Sequence, residues 1–171
     1  MKHQVSERRV CGAQNISRMC LACGEENIFG LHAQFLNLED GSLAATFTTI
    51  EEHQSYPGRV HGGITATILD EMLGRVVQVE HPEIFGVTME LTIKYRAPVP
   101  LGEPLLGIAR LDKITARVSE ASGVILLQDG TVAAQGFARY LRVPVDKIVE
   151  GGLAEEDWHP DPRTPPEVIV G

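Results

Sequence analysis

Gly62-Gly63-Ile64-Thr65-Ala66-Thr67-Ile68-Leu69-Asp70-Glu71-Met72-Leu73-Gly74-Arg75-Val76-Val77-Gln78-Val79-Glu80 decides the fold. Apolar residues fall at 64, 68, 72 and 76, and again at 69, 73 and 77. Two neighbouring i,i+4 rows give one broad apolar arc, which predicts a buried helix over 64–80. The glycine pair opens it and His81-Pro82 closes it. Asp70 lies at the edge of that arc beside Val77, on a strip with Gly63, Thr67 and Gly74. A carboxylate on the rim of a buried face is costly unless it is paired or used. Glu71, one residue further round, reads as solvated.

Outside the helix the pattern changes period. In Val87–Ala97, Val87, Met89, Leu91, Ile93, Tyr95 and Ala97 alternate with Thr88, Glu90, Thr92, Lys94 and Arg96. That alternation predicts a half-buried strand. Leu105–Ile114, Val118–Gln128 and Thr131–Val143 are also strand-like, the last two joined through Asp129-Gly130. Leu31–Leu38 and Leu43–Ile50 flank Asp40-Gly41 in the same way. One helix among successive hairpins is an α+β protein with a helix packed on an antiparallel sheet.

Of ten prolines, none precedes Pro57, none lies between Pro104 and Pro144, and Pro160, Pro162, Pro165 and Pro166 crowd the end. The expected division is an N-terminal extension over 1–19, a folded domain over 20–147 and a Pro-rich acidic tail over 148–171. Lys plus Arg is 15 against 23 for Asp plus Glu, a net charge of −8. Such a balance argues against nucleic acid as a partner. No apolar run is long enough for a membrane span, and Met1 to Val10 lacks a secretory pattern, so no membrane partner is expected. Three cysteines make no closed disulfide set, and a reducing cytoplasm is the expected location.

The first N–H groups of a helix are unpaired and carry partial positive charge. Gly62 and Gly63 would let a ligand approach them, giving a site for a carbonyl oxygen that turns negative during acyl transfer. His61-Gly62-Gly63 by itself fits a tight loop-to-helix turn equally well. Asp70 is eight residues beyond Gly62, roughly 12 Å along a helix. One carbonyl cannot reach both within one chain, so a joint site needs a second copy across a two-fold axis.

These residues resemble the hotdog-fold acyl-CoA thioesterases, specifically the PaaI-like branch of the hydroxybenzoyl-CoA thioesterase superfamily. The matching run is Pro57-Gly58-Arg59-Val60-His61-Gly62-Gly63, then Thr67, Ile68, Leu69, Asp70 and Gly74. It continues through Gly86-Val87-Thr88 and Tyr95-Arg96-Ala97-Pro98 to Gly102, within about 20–143. Cys20-Leu21-Ala22-Cys23-Gly24, with Asn27 and Gly30-Leu31, resembles the opening of a bacterial subset. The resemblance implies a long helix wrapped by an antiparallel sheet, an acyl-CoA substrate, and a homodimer assembling as a dimer of dimers. It implies that the Gly62 N–H holds the thioester oxygen, that Asp70 activates water or attacks directly, and that Thr88 positions the water or the carboxylate. Several relatives carry Asn or Gln six residues before the histidine; here that position is Ser55, with His53 and Gln54 adjacent, so either Gln54 substitutes or the site is differently arranged.

His61 has two readings, catalytic base or turn-fixing residue, and the second is favoured because Asp70 already supplies the base. Arg59, Arg96, Lys113 and Arg117 are candidates for the coenzyme A phosphates, Arg96 and Arg117 foremost. The acyl pocket would depend on which of Met72, Val76 and Phe85 face the partner chain. No cofactor and no metal are expected. Cys11, Cys20, Cys23 and His32 offer a zinc set with one tight pair, too loose a spacing to adopt. A redox Cys-x-x-Cys is disfavoured because the motif does not open a helix after a strand. The alternative functions are a non-catalytic acyl-CoA-binding module or sensor, for which too little chain precedes Cys20 to form a DNA-binding element, and a hydratase, for which no second histidine is suitably placed.

Overall fold

A computed structural model of the chain describes residues 2–3 and 6–171; Met1, Gln4 and Val5, part of the expected N-terminal extension, lie outside them. The strands are β1 (Glu7–Ala13), β2 (Gln34–Leu38), β3 (Leu43–Thr48), β4 (Phe85–Tyr95), β5 (Pro104–Ile114), β6 (Val118–Leu126), β7 (Val132–Val143) and β8 (Val168–Val170). They form one antiparallel sheet in the order β4-β7-β6-β5-β3-β2-β1-β8. The helix α1 (Gly62–Arg75) runs straight into a 3₁₀ turn over Val76–Val79 and lies across β3 to β7. This is the α+β, sheet-wrapped helix that the resemblance implies.

The helix buries the side its periodicity indicates. Ile68, Leu69, Met72, Leu73, Val76 and Val77 are all almost wholly buried. Met72 and Val76 therefore pack inside their own chain and do not face a partner. The sheet is unusually small-sided beneath them. A Cβ on Gly123 would come 3.0 Å from Leu73, and one on Gly136 would come 3.0 Å from Leu73 and 3.2 Å from Leu69. With Ala45, Ala109, Ala121, Ala134 and Ala138, also buried, these glycines make the trough in which α1 sits.

The strand expected over 87–97 is β4, displaced toward the N-terminus and not strictly alternating. Thr88 pairs with Tyr140 and Glu90 with Arg139, so Met89 is an extra residue in a β-bulge. The bulge turns the strand over by one step. Thr88 before it and Leu91 and Ile93 after it all reach the helix side, where alternation alone separates Thr88 from the other two. Val87 and Met89 are left exposed. β4 is also an edge strand, paired on one side by β7.

Both chain ends join this sheet. β1 pairs with β2 through Val10–Ala13, and Glu7–Arg9 pair with Val168–Val170. The sequence reading has no strand at either place. β1 alternates weakly because it is half-exposed along its length, and β8 has three residues. Ile169 nevertheless packs with Leu36, Leu38, Ile108 and Leu126 in a second apolar cluster.

Between the helix and both end segments lies Arg75, 5% exposed. Its Nε donates to Glu71 Oε1 at 2.7 Å and its Nη1 to Asn15 O at 2.8 Å. The guanidinium sits 4.4 Å from the ring of Phe35 and 4.7 Å from that of Trp158. Glu71 is thus a partner of a buried cation, not the solvated residue the sequence suggests. Arg75→Ala removes both stacks and strands Glu71, and is expected to cost about 3 kcal/mol or more of unfolding free energy. Urea denaturation of the two proteins measures this; a difference below about 1 kcal/mol means the cluster contributes no more than an exposed ion pair.

Candidate functional site

The first turn of α1 is built by the preceding loop. Gln54–Val60 forms a narrow bridge, and the His61 N–H donates to His53 O at 2.8 Å. His53 is buried, its Nδ1 accepting the Ile50 N–H at 3.2 Å and its Nε2 lying 2.7 Å from Phe29 O. His61 is the N-cap of α1, in extended conformation, and its Nδ1 accepts the Gly63 N–H at 2.9 Å. That bond serves a turn-fixing residue, and it takes Gly63 out of the pair of candidate donors. Among the described residues no acceptor meets the Gly62 N–H. Tyr95 OH donates to Gly62 O at 2.8 Å, tying this turn to the C-terminal end of β4.

Two turns further on, Asp70 is half-buried. Thr88 Oγ1 donates to Asp70 Oδ1 at 2.9 Å. Tyr140 OH lies 2.7 Å from Asp70 O and 3.2 Å from Oδ1, donating one proton between them. Burial first, and then the Asp70 charge, hold the Tyr140 phenol above its ordinary pKa, so it remains a donor. Oδ1 is thereby fixed, while among the described residues no donor reaches Oδ2. A pocket of about 230 Å³ opens here, lined by Gly74, Phe85 and Thr88 and closed by Ile148, Val149 and Leu153 of the tail. A larger apolar groove, about 930 Å³ beside Phe47, Leu106 and Ile169, is lined by no Asp or Glu.

The sequence candidates divide accordingly. Asp70 and Thr88 meet directly, whereas Gly62 stands at the other end of the same helix. Gln54 is turned into its own loop, where Oε1 accepts the Gly58 N–H at 2.8 Å. Ser55 is exposed, and among the described residues its hydroxyl has no partner. Arg96 is exposed at the Gly62 end, donating to Gln135 at 3.1 Å. Arg117 is exposed in the β5–β6 hairpin, next to Val118, which pairs with Leu141 at the Asp70 end. Arg59 and Lys113 are exposed. Tyr95 and Tyr140 are the residues that sequence reasoning missed as site residues. Alternation places each on the inner face of its strand, but the partner of a phenol tip is set by tertiary register.

Cys11, Cys20, Cys23 and His32, weighed above and not adopted as a zinc set, do not come together as one group among the described residues. Cys11 is exposed on β1, and among the described residues the one group close enough for a metal is Cys20, Cys23 and Glu71, within 4.8 Å of one another. Arg75 already occupies that group as its cation, 3.1 Å from Cys23 Sγ and 2.7 Å from Glu71. Among the described residues no helix is long and apolar enough to cross a membrane.

Comparison with known proteins adds three findings. Residues 57–134 match the thioesterase superfamily. Acyl-coenzyme A thioesterase THEM4 of Rattus norvegicus is 30% identical over 142 residues, 82% of this chain and 59% of that protein, so the chain spans about three fifths of that relative's length. A solved thioesterase superfamily protein is 32% identical, with a TM-score of 0.66, covering 74% of this chain and 61% of its own. At the level of fold alone, the protein smu.793 from Streptococcus mutans, solved bound to acetyl CoA, has a TM-score of 0.55 at 21% identity, over 61% of this chain and 82% of that one.

Proposed function

We propose that the chain is a member of the thioesterase superfamily, whose pattern matches residues 57–134, and that it hydrolyses an acyl-CoA thioester to a free acid and coenzyme A at a site shared by two copies of the chain. The observation that carries this is the pairing of a carboxylate fixed through one oxygen with an unpaired N–H at the start of the same helix. Asp70, held at Oδ1 by Thr88 and Tyr140, keeps Oδ2 for a water or for direct attack on the carbonyl carbon. The Gly62 N–H takes the oxyanion. The C–S bond then breaks and coenzyme A leaves as its thiolate. His61 acts as the cap that shapes the turn.

The two groups are roughly 12 Å apart by helical rise, so the Gly62 of one chain serves the Asp70 of the other. The free edge of β4 supplies a way to bring them together. Tyr95 touches Gly62 and Thr88 touches Asp70. Antiparallel pairing of two β4 edges, centred on Thr92 and with Met89 taken up by its bulge, sets Tyr95 of one copy opposite Thr88 of the other and superposes the two half-sites. The same two-fold axis brings Arg96 of one copy toward Arg117 of its partner, where they receive the coenzyme A phosphates. Gln54 and Ser55 border the Gly62 half, from which they contact the thioester end of the substrate. Such dimers pair further into a dimer of dimers. The activity resides in 20–147, with 1–19 and 148–171 as flanking segments, and a reducing cytoplasm suits three free cysteines.

A panel of acyl-CoAs, followed by release of free thiol, tests the proposal. Turnover of at least one member is expected. Tight binding of acyl-CoA with no thiol release from any member would replace the enzyme with a binding module.

A further inference from the structure

Cys20 and Cys23 lie side by side behind the Asp70 turn, in a segment that the proposed hydrolysis does not use. Their sulfurs and a Glu71 carboxylate oxygen all fall within 4.8 Å of one another. The turn is held in place by the Gly24 N–H on Cys20 O at 2.8 Å, and by Leu31 and Ala33 donating to Leu21 O and Ala22 O, both at 2.8 Å. Cys20 is half-exposed, between the exposed Met19 and Leu21, and Cys23 is 1% exposed.

The surroundings favour a negative sulfur. Cys23 Sγ receives Arg75 Nη2 at 3.1 Å and the Ser17 N–H at 3.4 Å. Cys20 Sγ receives the Ala22 N–H at 3.3 Å. A neutral thiol is a weak acceptor, whereas a thiolate satisfies these donors. The hydrogen bond with Cys23 draws the Cys20 thiol down to about 6, against the opposing effects of burial and of Glu71. Cys23 moves up, first because it keeps the shared proton and then because it is buried. The cation that a redox thiol pair usually finds at a helix N-terminus is supplied here by a guanidinium.

We propose that Cys20 and Cys23 form a reactive dithiol that exchanges with small disulfides, Cys20 attacking and Cys23 resolving. The Cys20 thiolate attacks one sulfur of a disulfide RS–SR; a Cys20–SR bond forms and RS⁻ leaves. Cys23 gives up its proton and attacks the Cys20 sulfur; the Cys20–Cys23 bond forms and the second RS⁻ leaves. Two thiols of the protein are oxidised, RS–SR is reduced to two RSH, and both protons are accounted for on the departing thiols. Arg75 already stands as the cation of this cluster, bound to both Glu71 and Cys23.

The test uses the full chain, reduced and desalted, then exposed to excess oxidised glutathione and quenched with N-ethylmaleimide. The expected product is two hydrogens lighter across a bridged Cys20–Cys23 peptide pair, with label on Cys11 alone, and dithiothreitol reverses it. In Cys23→Ser the glutathione adduct persists on Cys20; in Cys20→Ser, Cys23 takes up no adduct. Recovery of Cys20 and Cys23 as labelled thiols from the unmodified chain, or an adduct trapped on Cys23 in Cys20→Ser, would overturn the proposal. The first of these readouts depends on no variant folding, and neither depends on thioester hydrolysis.

Discussion

Asp70→Asn is expected to lower kcat for acyl-CoA hydrolysis by about 10²–10⁴-fold with the fold intact. An amide has nearly the same shape and its oxygen still accepts from Thr88 and Tyr140, which sit 2.9 and 3.2 Å from Oδ1. What it removes is the basic and nucleophilic oxygen at Oδ2. Because the ties to β4 and β7 survive, circular dichroism and thermal unfolding should match the parent chain, and the loss should fall on kcat rather than KM. Full activity in the variant would mean that another group attacks the thioester.

The second large effect concerns a single hydrogen. Gly62 is the first residue of α1, the position where proline is best tolerated, and His61 precedes it with ψ of 138°, a conformation that a following proline accepts. A Cβ at Gly62 meets the Tyr95 ring at 3.6 Å, an ordinary contact. Gly62→Pro therefore removes an N–H that no acceptor among the described residues uses, while leaving the helix start in place. If that N–H stabilises the oxyanion, kcat falls by about 10²–10³-fold at unchanged stability. Steady-state kinetics beside a melting curve separate this from misfolding; a stable variant with unchanged kcat removes Gly62 from the mechanism.

The helix could be read from sequence because its apolar rows repeat at a period that no strand shares, and Asp70 was visible as a carboxylate at the rim of those rows. The bulge at Met89 could not be read: Thr88-Met89-Glu90 contains no glycine or proline to mark it, and it alone brings Thr88 to the helix side. Arg75 looked like one more charge near the end of a helix. Its partners come from Asn15, Cys23, Phe35 and Trp158, scattered over most of the chain, and no local pattern announces such a gathering. The pairing of β1 with β8 has the same character, joining strands at opposite ends of the sequence without a hairpin signal between them. In the dimer we propose, the phosphate contacts and the acyl pocket depend on a second copy, a geometry that no local pattern in one chain's sequence announces.

Mixing the two inactive variants addresses the shared site itself. Asp70→Asn and Gly62→Pro chains, denatured together in equal amounts and refolded, give mixed dimers in half of the population. Each mixed dimer holds one site with an intact glycine from one chain and an intact aspartate from the other, and one site lacking both. The predicted outcome is recovery to about a quarter of parental activity, from two proteins that are each nearly inert. Activity that stays at the sum of the separate variants, with mixed dimers verified by mass, would place both groups in one chain's site and contradict the account.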